Sequence, residues 1–110
     1  MGNITSTIAS SHVIAGFHAL SEPLRIRVIE LLLLRELCVC ELCEELGVTQ
    51  SKLSFHLKTL KEADLVCARA EGRWIYYSLN LPQLVALEQS LAEYRRRAVI
   101  LPSRPCCDAP

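Results

Sequence analysis

The segment ELCVCELCEEL, residues 36–46, places Cys38, Cys40 and Cys43 among Glu36, Glu41, Glu44 and Glu45. Thiolates are soft donors and select soft ions. At ~100° per residue, Cys40 and Cys43 fall about 60° apart on one face of a helix, whereas Cys38 lies roughly 140° from Cys43. Three sulfurs therefore cannot converge from an unbroken helix. Either Cys38 precedes the first turn and folds back, or binding unwinds that turn. No histidine lies near the segment, although Zn²⁺ usually completes four positions with His or further Cys. Three thiolates and a lone pair suit a pyramidal trivalent ion, arsenic or antimony. The carboxylates Glu41, Glu44 and Glu45 are poor partners for a soft ion and are expected to face solvent. They raise thiol pKa values, while a helix N-terminus lowers them. The competing reading is three buried thiols with no ligand, since cysteine is a common core residue.

Three more cysteines stand elsewhere. Cys67 is expected to pack. Cys106 and Cys107 form a vicinal pair in the tail LPSRPCCDAP, where they could add thiolates to the cluster or form a site of their own. Six cysteines in 110 residues fall below the density of a disulfide scaffold and read as reduced thiols of a cytoplasmic protein. The apolar runs are too short to span a bilayer, and no basic leader precedes a signal-peptide core; no membrane partner is expected.

The elements that must position these residues are mostly helical. Ile8, Val13, Ile14, Phe17 and Leu20 predict a helix from about Thr7 to Leu20. Ser21 is expected to cap a second helix with Pro23 in its first turn and a stripe of Leu24, Val28, Leu31 and Leu32. A third runs over Val39–Leu46 and stops at Gly47. Thr49 caps a fourth, on which Leu53, Leu57, Leu60 and Ala63 form one face. Gln50, Ser51, Lys52, Ser54, Phe55, Lys58 and Lys61 lie opposite. From Leu65 the period becomes two: LVCARA, EGR and WIYYSLN predict a hairpin turning at Gly72. A last helix spans about Pro82 to Val99. Residues 1–6 form a disordered arm, residues 7–99 one domain, and residues 100–110 a flexible tail.

This order predicts a mainly α fold with a β-hairpin wing, a winged helix-turn-helix. Twelve basic and twelve acidic residues cancel, but they are segregated. The cysteine segment is acidic, and residues 49–61 carry Lys52, Lys58, Lys61 and His56 with no acid. Double-stranded operator DNA is the expected partner. Gln50, Ser51, Lys52 and Ser54 are expected in the major groove, and Lys58, Lys61, Arg69 and Arg73 on phosphate. His56 reads equally as a phosphate contact or as a packing residue, and Phe55 as a core or rim contact. No nucleophile, base and orienting group suggest hydrolysis. A thiol oxidoreductase would set its cysteines beside a βαβ pattern, which is not here. The chain is not expected to be an enzyme.

ALSEPLRIRVIELL, ELCVCELCEELGVTQSKLSFHLKTLKEADLV and EGRWIYYSLN closely resemble the ArsR/SmtB repressors over about residues 17–80, and CVCELC resembles the arsenic-sensing branch in particular. The resemblance implies a homodimer built on the first and last helices and bound to a two-fold operator. No cofactor is needed for DNA binding, and As(III) or Sb(III) at Cys38, Cys40 and Cys43 would be the inducer. The family's zinc-type site needs His and Asp on the last helix, where neither occurs. Its cadmium/lead-type site adds cysteines from the N-terminal arm, and residues 1–37 contain none. A winged-helix repressor sensing another soft metal (Cd, Pb or Zn) or thiol oxidation is the alternative. Asp64 stands where the family usually has Gly; Asp tolerates the left-handed conformation next best.

Overall fold

A computed structural model describes residues 10–98. The expected arm, residues 1–6, and tail, residues 100–110 with Cys106 and Cys107, lie outside them. Eight elements follow in order: α1 (Ser11–Ala19), α2 (Pro23–Leu32), β1 (Leu37–Cys38), α3 (Val39–Leu46), α4 (Gln50–Glu62), β2 (Val66–Glu71), β3 (Trp74–Leu79) and α5 (Leu81–Arg97). Among the described residues no helix is long and apolar enough to cross a membrane.

Local chemistry sets most boundaries. α1 begins later than the apolar pattern suggests, because Ser10 is extended and its hydroxyl accepts from the Val13 N–H at 3.1 Å. Glu22, not Ser21, caps α2: its carboxylate accepts from Leu24 N–H at 2.9 Å, with Pro23 opening the helix where no N–H is needed. Ser21 instead donates to His18 O, closing α1. Gly47 ends α3 in the left-handed conformation, φ 66°, and the Thr49 hydroxyl caps α4. Asp64 occupies the same region at φ 59°. Its carboxylate contacts His12 at 2.6 Å, tying the turn after α4 back to α1.

The sheet departs from a plain hairpin. Its order is β1-β3-β2, all antiparallel. Leu37 pairs with Tyr77 and Cys38 with Tyr76, so the residues just before α3 form a third strand on the wing. Two residues are too short for a period to show, which is why the alternation pattern missed them.

The core gathers Val28, Ile29 and Leu32 of α2, Leu42 and Leu46 of α3, Leu53, Leu57 and Leu60 of α4, Leu65, Val66, and Leu87 of α5. Ile29 is buried where the stripe had Leu31. Among the described residues, three buried polar side chains, Gln83, Arg25 and His56, cross this core. Gln83 donates to the His12 and Ala63 carbonyls, at 3.2 and 3.0 Å, and so joins α5 to α1 and to the end of α4. Arg25 donates to Ala19 O at 2.7 Å and bonds His56 Nδ1 at 3.1 Å, joining α2 to α4.

Candidate functional site

The three clustered cysteines fall in three different environments. Cys38 is buried, Cys40 exposed and Cys43 half-buried. Cys38 is both the last residue of β1 and the N-cap of α3. It therefore precedes the helix, one of the two arrangements open to it, but it does not fold back. Its backbone is paired with Tyr76, and its N–H donates to Glu41 Oε1 at 2.9 Å. Its sulfur faces the Glu41 N–H, completing a capping box in which cysteine replaces the usual serine or threonine. Cys40 and Cys43 lie one turn apart. Burial, and then Cys40, push the Cys43 thiol above its ordinary range. Among the described residues, no group of three or more His, Cys, Asp or Glu side chains is placed to hold a metal. The resting fold thus holds Cys40 and Cys43 one turn apart on α3, with the Cys38 backbone in the sheet and its sulfur at the first turn of that helix. The donor set, three thiols within six residues, still fits a soft trivalent ion, provided the Cys38 sulfur gives up its contact with the Glu41 N–H. The Cys40–Cys43 pair has C-x-x-C spacing, yet among the described residues the sheet is wholly antiparallel and no βαβ unit flanks the pair.

Glu41 does not simply face solvent as expected. Besides capping Cys38 it meets Arg35 at 3.6 Å. The Cys38 N–H first, then the Cys38 thiol and more weakly Arg35, hold its carboxyl below the usual carboxylate value. A depressed pKa adds stability above the unfolded value, near 4.5, and loses it as pH falls through the folded one. Glu41→Gln keeps the shape and removes the charge. Its urea midpoint is expected to lie below that of the parent by a constant margin above about pH 5. That margin shrinks toward about pH 3. A margin independent of pH would mean that the carboxylate charge does not act through this cap.

The outward face of α4 matches its expected polar face. Gln50, Ser51, Lys52, Ser54, Lys58 and Lys61 are all exposed. Phe55 joins them at 64% exposure, which removes it from the core. Of the two readings for His56, packing is favoured: it is 9% exposed, and its Nδ1 meets Arg25. Arginine has no acceptor, so Nδ1 must take the proton's hydrogen bond and the ring's N–H sits on Nε2. Cys67, expected to pack, is exposed opposite Ser78; Val66 before it takes the inward position of β2.

The two wing arginines differ. Arg73 is exposed beside Gly72, and among the described residues neither it nor Lys52, Lys58 or Lys61 stands in an ion pair. Arg69 is engaged. It donates to both oxygens of Glu36 at 2.8 and 3.2 Å, to Glu71 at 2.7 Å, and lies 5.0 Å over the Tyr76 ring. Arg69 in turn holds the Glu36 carboxyl below its usual range. A phosphate would have to displace two carboxylates from this guanidinium. Arg73→Ala is therefore expected to flatten the slope of log K against log salt on duplex DNA by about 0.9. Arg69→Ala should leave the slope unchanged, as read by fluorescence anisotropy across salt. Equal losses from both would return Arg69 to the phosphate contacts.

Residues 22–67 match the family model described as bacterial regulatory protein, arsR family. The chain is 46% identical over 65 residues to the arsenical resistance operon repressor of Bacillus subtilis, covering 58% of this chain and 62% of that protein. It is 37% identical over 105 residues to the arsenic resistance transcriptional regulator ArsR2 of Pseudomonas putida, covering 84% of this chain and 91% of that one. Several other curated relatives are matched over 56 to 59% of their length. In three dimensions the chain is similar to a solved ArsR family transcriptional regulator, with a TM-score of 0.72 at 22% identity, covering 77% of this chain and 88% of that one. That likeness establishes the fold, mainly helical with a small antiparallel wing.

Proposed function

Because the chain belongs to the arsR family of bacterial regulatory proteins, a family of DNA-binding regulators and not of enzymes, we propose that it is a repressor released from its operator by trivalent arsenic or antimony. Cys38, Cys40 and Cys43 bind the metalloid. Gln50, Ser51, Lys52 and Ser54 enter the major groove, and Lys58, Lys61 and Arg73 meet the flanking phosphates. The repressor acts as a homodimer through α1 and α5, whose exposed Ile14, Leu81, Val85, Leu91 and Tyr94 are apolar surface in want of a partner.

The observation that carries the reading is the double role of Cys38 as wing residue and helix cap. Exchange of As(OH)3 with three thiols forms three As–S bonds, breaks three As–O bonds and releases three waters. In this reading Cys38 contributes its sulfur by giving up the Glu41 N–H and coming away from Tyr76. That frees β1 from β3 and uncaps α3 in one event. The wing and α4 both face the duplex, and both are packed on α3. Coupling energies of ~1–3 kcal/mol are typical, a five- to hundredfold loss of affinity.

The test is a gel shift of the full chain on its operator duplex with arsenite, antimonite, zinc, cadmium and peroxide in turn. Release by arsenite and antimonite alone is expected. Release by cadmium, zinc or peroxide instead would favour a different soft metal or thiol oxidation.

A further inference from the structure

Helix α4 buries Leu53, His56, Leu57 and Leu60. At ~100° per residue, the direction opposite their mean falls between Ser51, Phe55 and Lys58, with Phe55 about 30° from it. The ring therefore stands near the middle of the outward face, not at its margin. It is 64% exposed, and Ser51, Lys52, Ser54 and Lys58 are exposed around it. Residues 49–61 carry no acid, so this apolar group sits in a surface suited to a polyanion. It is also well supported. The ring stands edge-on to that of His56, with centroids 5.3 Å apart and planes at 77°. His56 bonds the buried Arg25 at 3.1 Å, and Arg25 donates to Ala19 O at 2.7 Å. The aromatic thus leans on a side chain fixed from inside the core.

A single exposed phenylalanine elsewhere on a surface calls for no partner. Here a groove that receives Ser51 receives Phe55 as well, because residues four apart on a helix are neighbours on one face. Its chemistry then narrows what it can meet. The bases of a duplex are stacked, so only their edges face the groove. Those edges display hydrogen-bond donors and acceptors, and one apolar group, the thymine C5-methyl. Over a donor or acceptor the ring would displace water and return no hydrogen bond, which is costly. Over the methyl it buries apolar surface on both sides. We propose that Phe55 is a specificity-determining residue whose ring packs on a thymine C5-methyl in the major groove of each half-site. This rests on the reading of α4 as the groove-reading helix of a dimeric repressor. Gln50, Ser51, Lys52 and Ser54 would read polar base edges around that thymine, and Phe55 reads what none of them can distinguish, a methyl group from a hydrogen.

The experiment uses the full chain under reducing conditions. A preferred duplex is selected from a randomised pool, and each of its thymines is then replaced by deoxyuridine, singly and in symmetric pairs. That replacement removes the methyl and keeps every donor and acceptor in the groove. Affinity is read by fluorescence anisotropy at fixed salt. At one thymine of each half-site the parent is expected to lose about fourfold, what burying one methyl group is worth. The paired replacement should cost about fifteenfold, since the two positions are far apart and add. Phe55→Ala, which leaves the core untouched, should bind the selected duplex more weakly and no longer distinguish thymine from uracil at that position. Its salt slope should match the parent's, because no phosphate contact is lost. Phe55→Leu restores an apolar side chain and should recover at least about twofold of the discrimination. If no thymine replacement weakens the parent, or if Phe55→Ala keeps the uracil penalty, the methyl contact is overturned while α4 stands as the reading helix. If the pool yields no preferred duplex, both fall.

Discussion

Cys38→Ser is expected to keep operator affinity within about twofold of the parent and to abolish release by arsenite. The first half follows from what Cys38 does structurally. Its pairing with Tyr76 and its bond to Glu41 use the backbone, which the substitution leaves alone. At the N-cap of α3, serine is the better residue: its oxygen accepts from the Glu41 N–H more strongly than sulfur does, and S-x-x-E is the usual capping box. The buried site, 8% exposed, therefore receives a hydroxyl with a partner at hand. α3 should be as stable as before, or more so by about 0.5–1 kcal/mol. The second half follows from softness, because a hydroxyl does not replace a thiolate toward a soft trivalent centre. The two thiols that remain leave one As–OH in place, and nothing then pulls β1 from the wing. The measurement is arsenite titration of the preformed operator complex. Dissociation of the serine variant at the parental arsenite concentration would show that Cys38 is not part of the switch.

How far the sequence carried this picture depended on the range of the forces involved. Gly47, Thr49 and the Leu53, Leu57, Leu60 and Ala63 face were legible because caps and helical period act within a turn or two. α3 has the bounds read from its periodicity, Val39–Leu46. The positive φ that the family resemblance implied at Asp64 is present as well. What was missed depends on residues far apart. β1 exists because β3 offers an edge, and two residues carry no pattern of their own. The sequence left His56 open between phosphate contact and packing, and the partner that favours packing, Arg25, stands 31 positions earlier. Arg69 looked free until Glu36, 33 positions away, took its fork. A wheel drawn on residues 38–43 separates Cys38 from the other two; it says nothing of the strand that holds Cys38 in place. The one available signal for Arg25 was a charge on the apolar side of α2, next to Val28 and Ile29 in the helical net.

The largest loss of stability is expected from Leu42→Ala. Leu42 is 0% exposed and belongs to the same buried cluster as Leu46, Leu53 and Leu57. It sits between Cys40 and Cys43 in sequence but points the other way, into the contact of α3 with α2 and α4. Truncation removes three carbons from a site walled by large, fixed side chains. Such leucines cost 2–5 kcal/mol, of which the cavity is a part, and about 3 kcal/mol is expected here. Domains of this size are stable by only 5–15 kcal/mol, and the loss should lower the melting temperature by about 15 °C. Leu34→Ala, at 89% exposure on the turn after α2, is the control and should change stability by less than about 0.5 kcal/mol. The same substitution bears on the switch. If α3 passes its distortion to α4 through this contact, Leu42→Ala should also weaken arsenite-driven release at a temperature where the variant is still folded and still binds its operator. Full release despite the cavity would place the coupling in β1 and the wing alone.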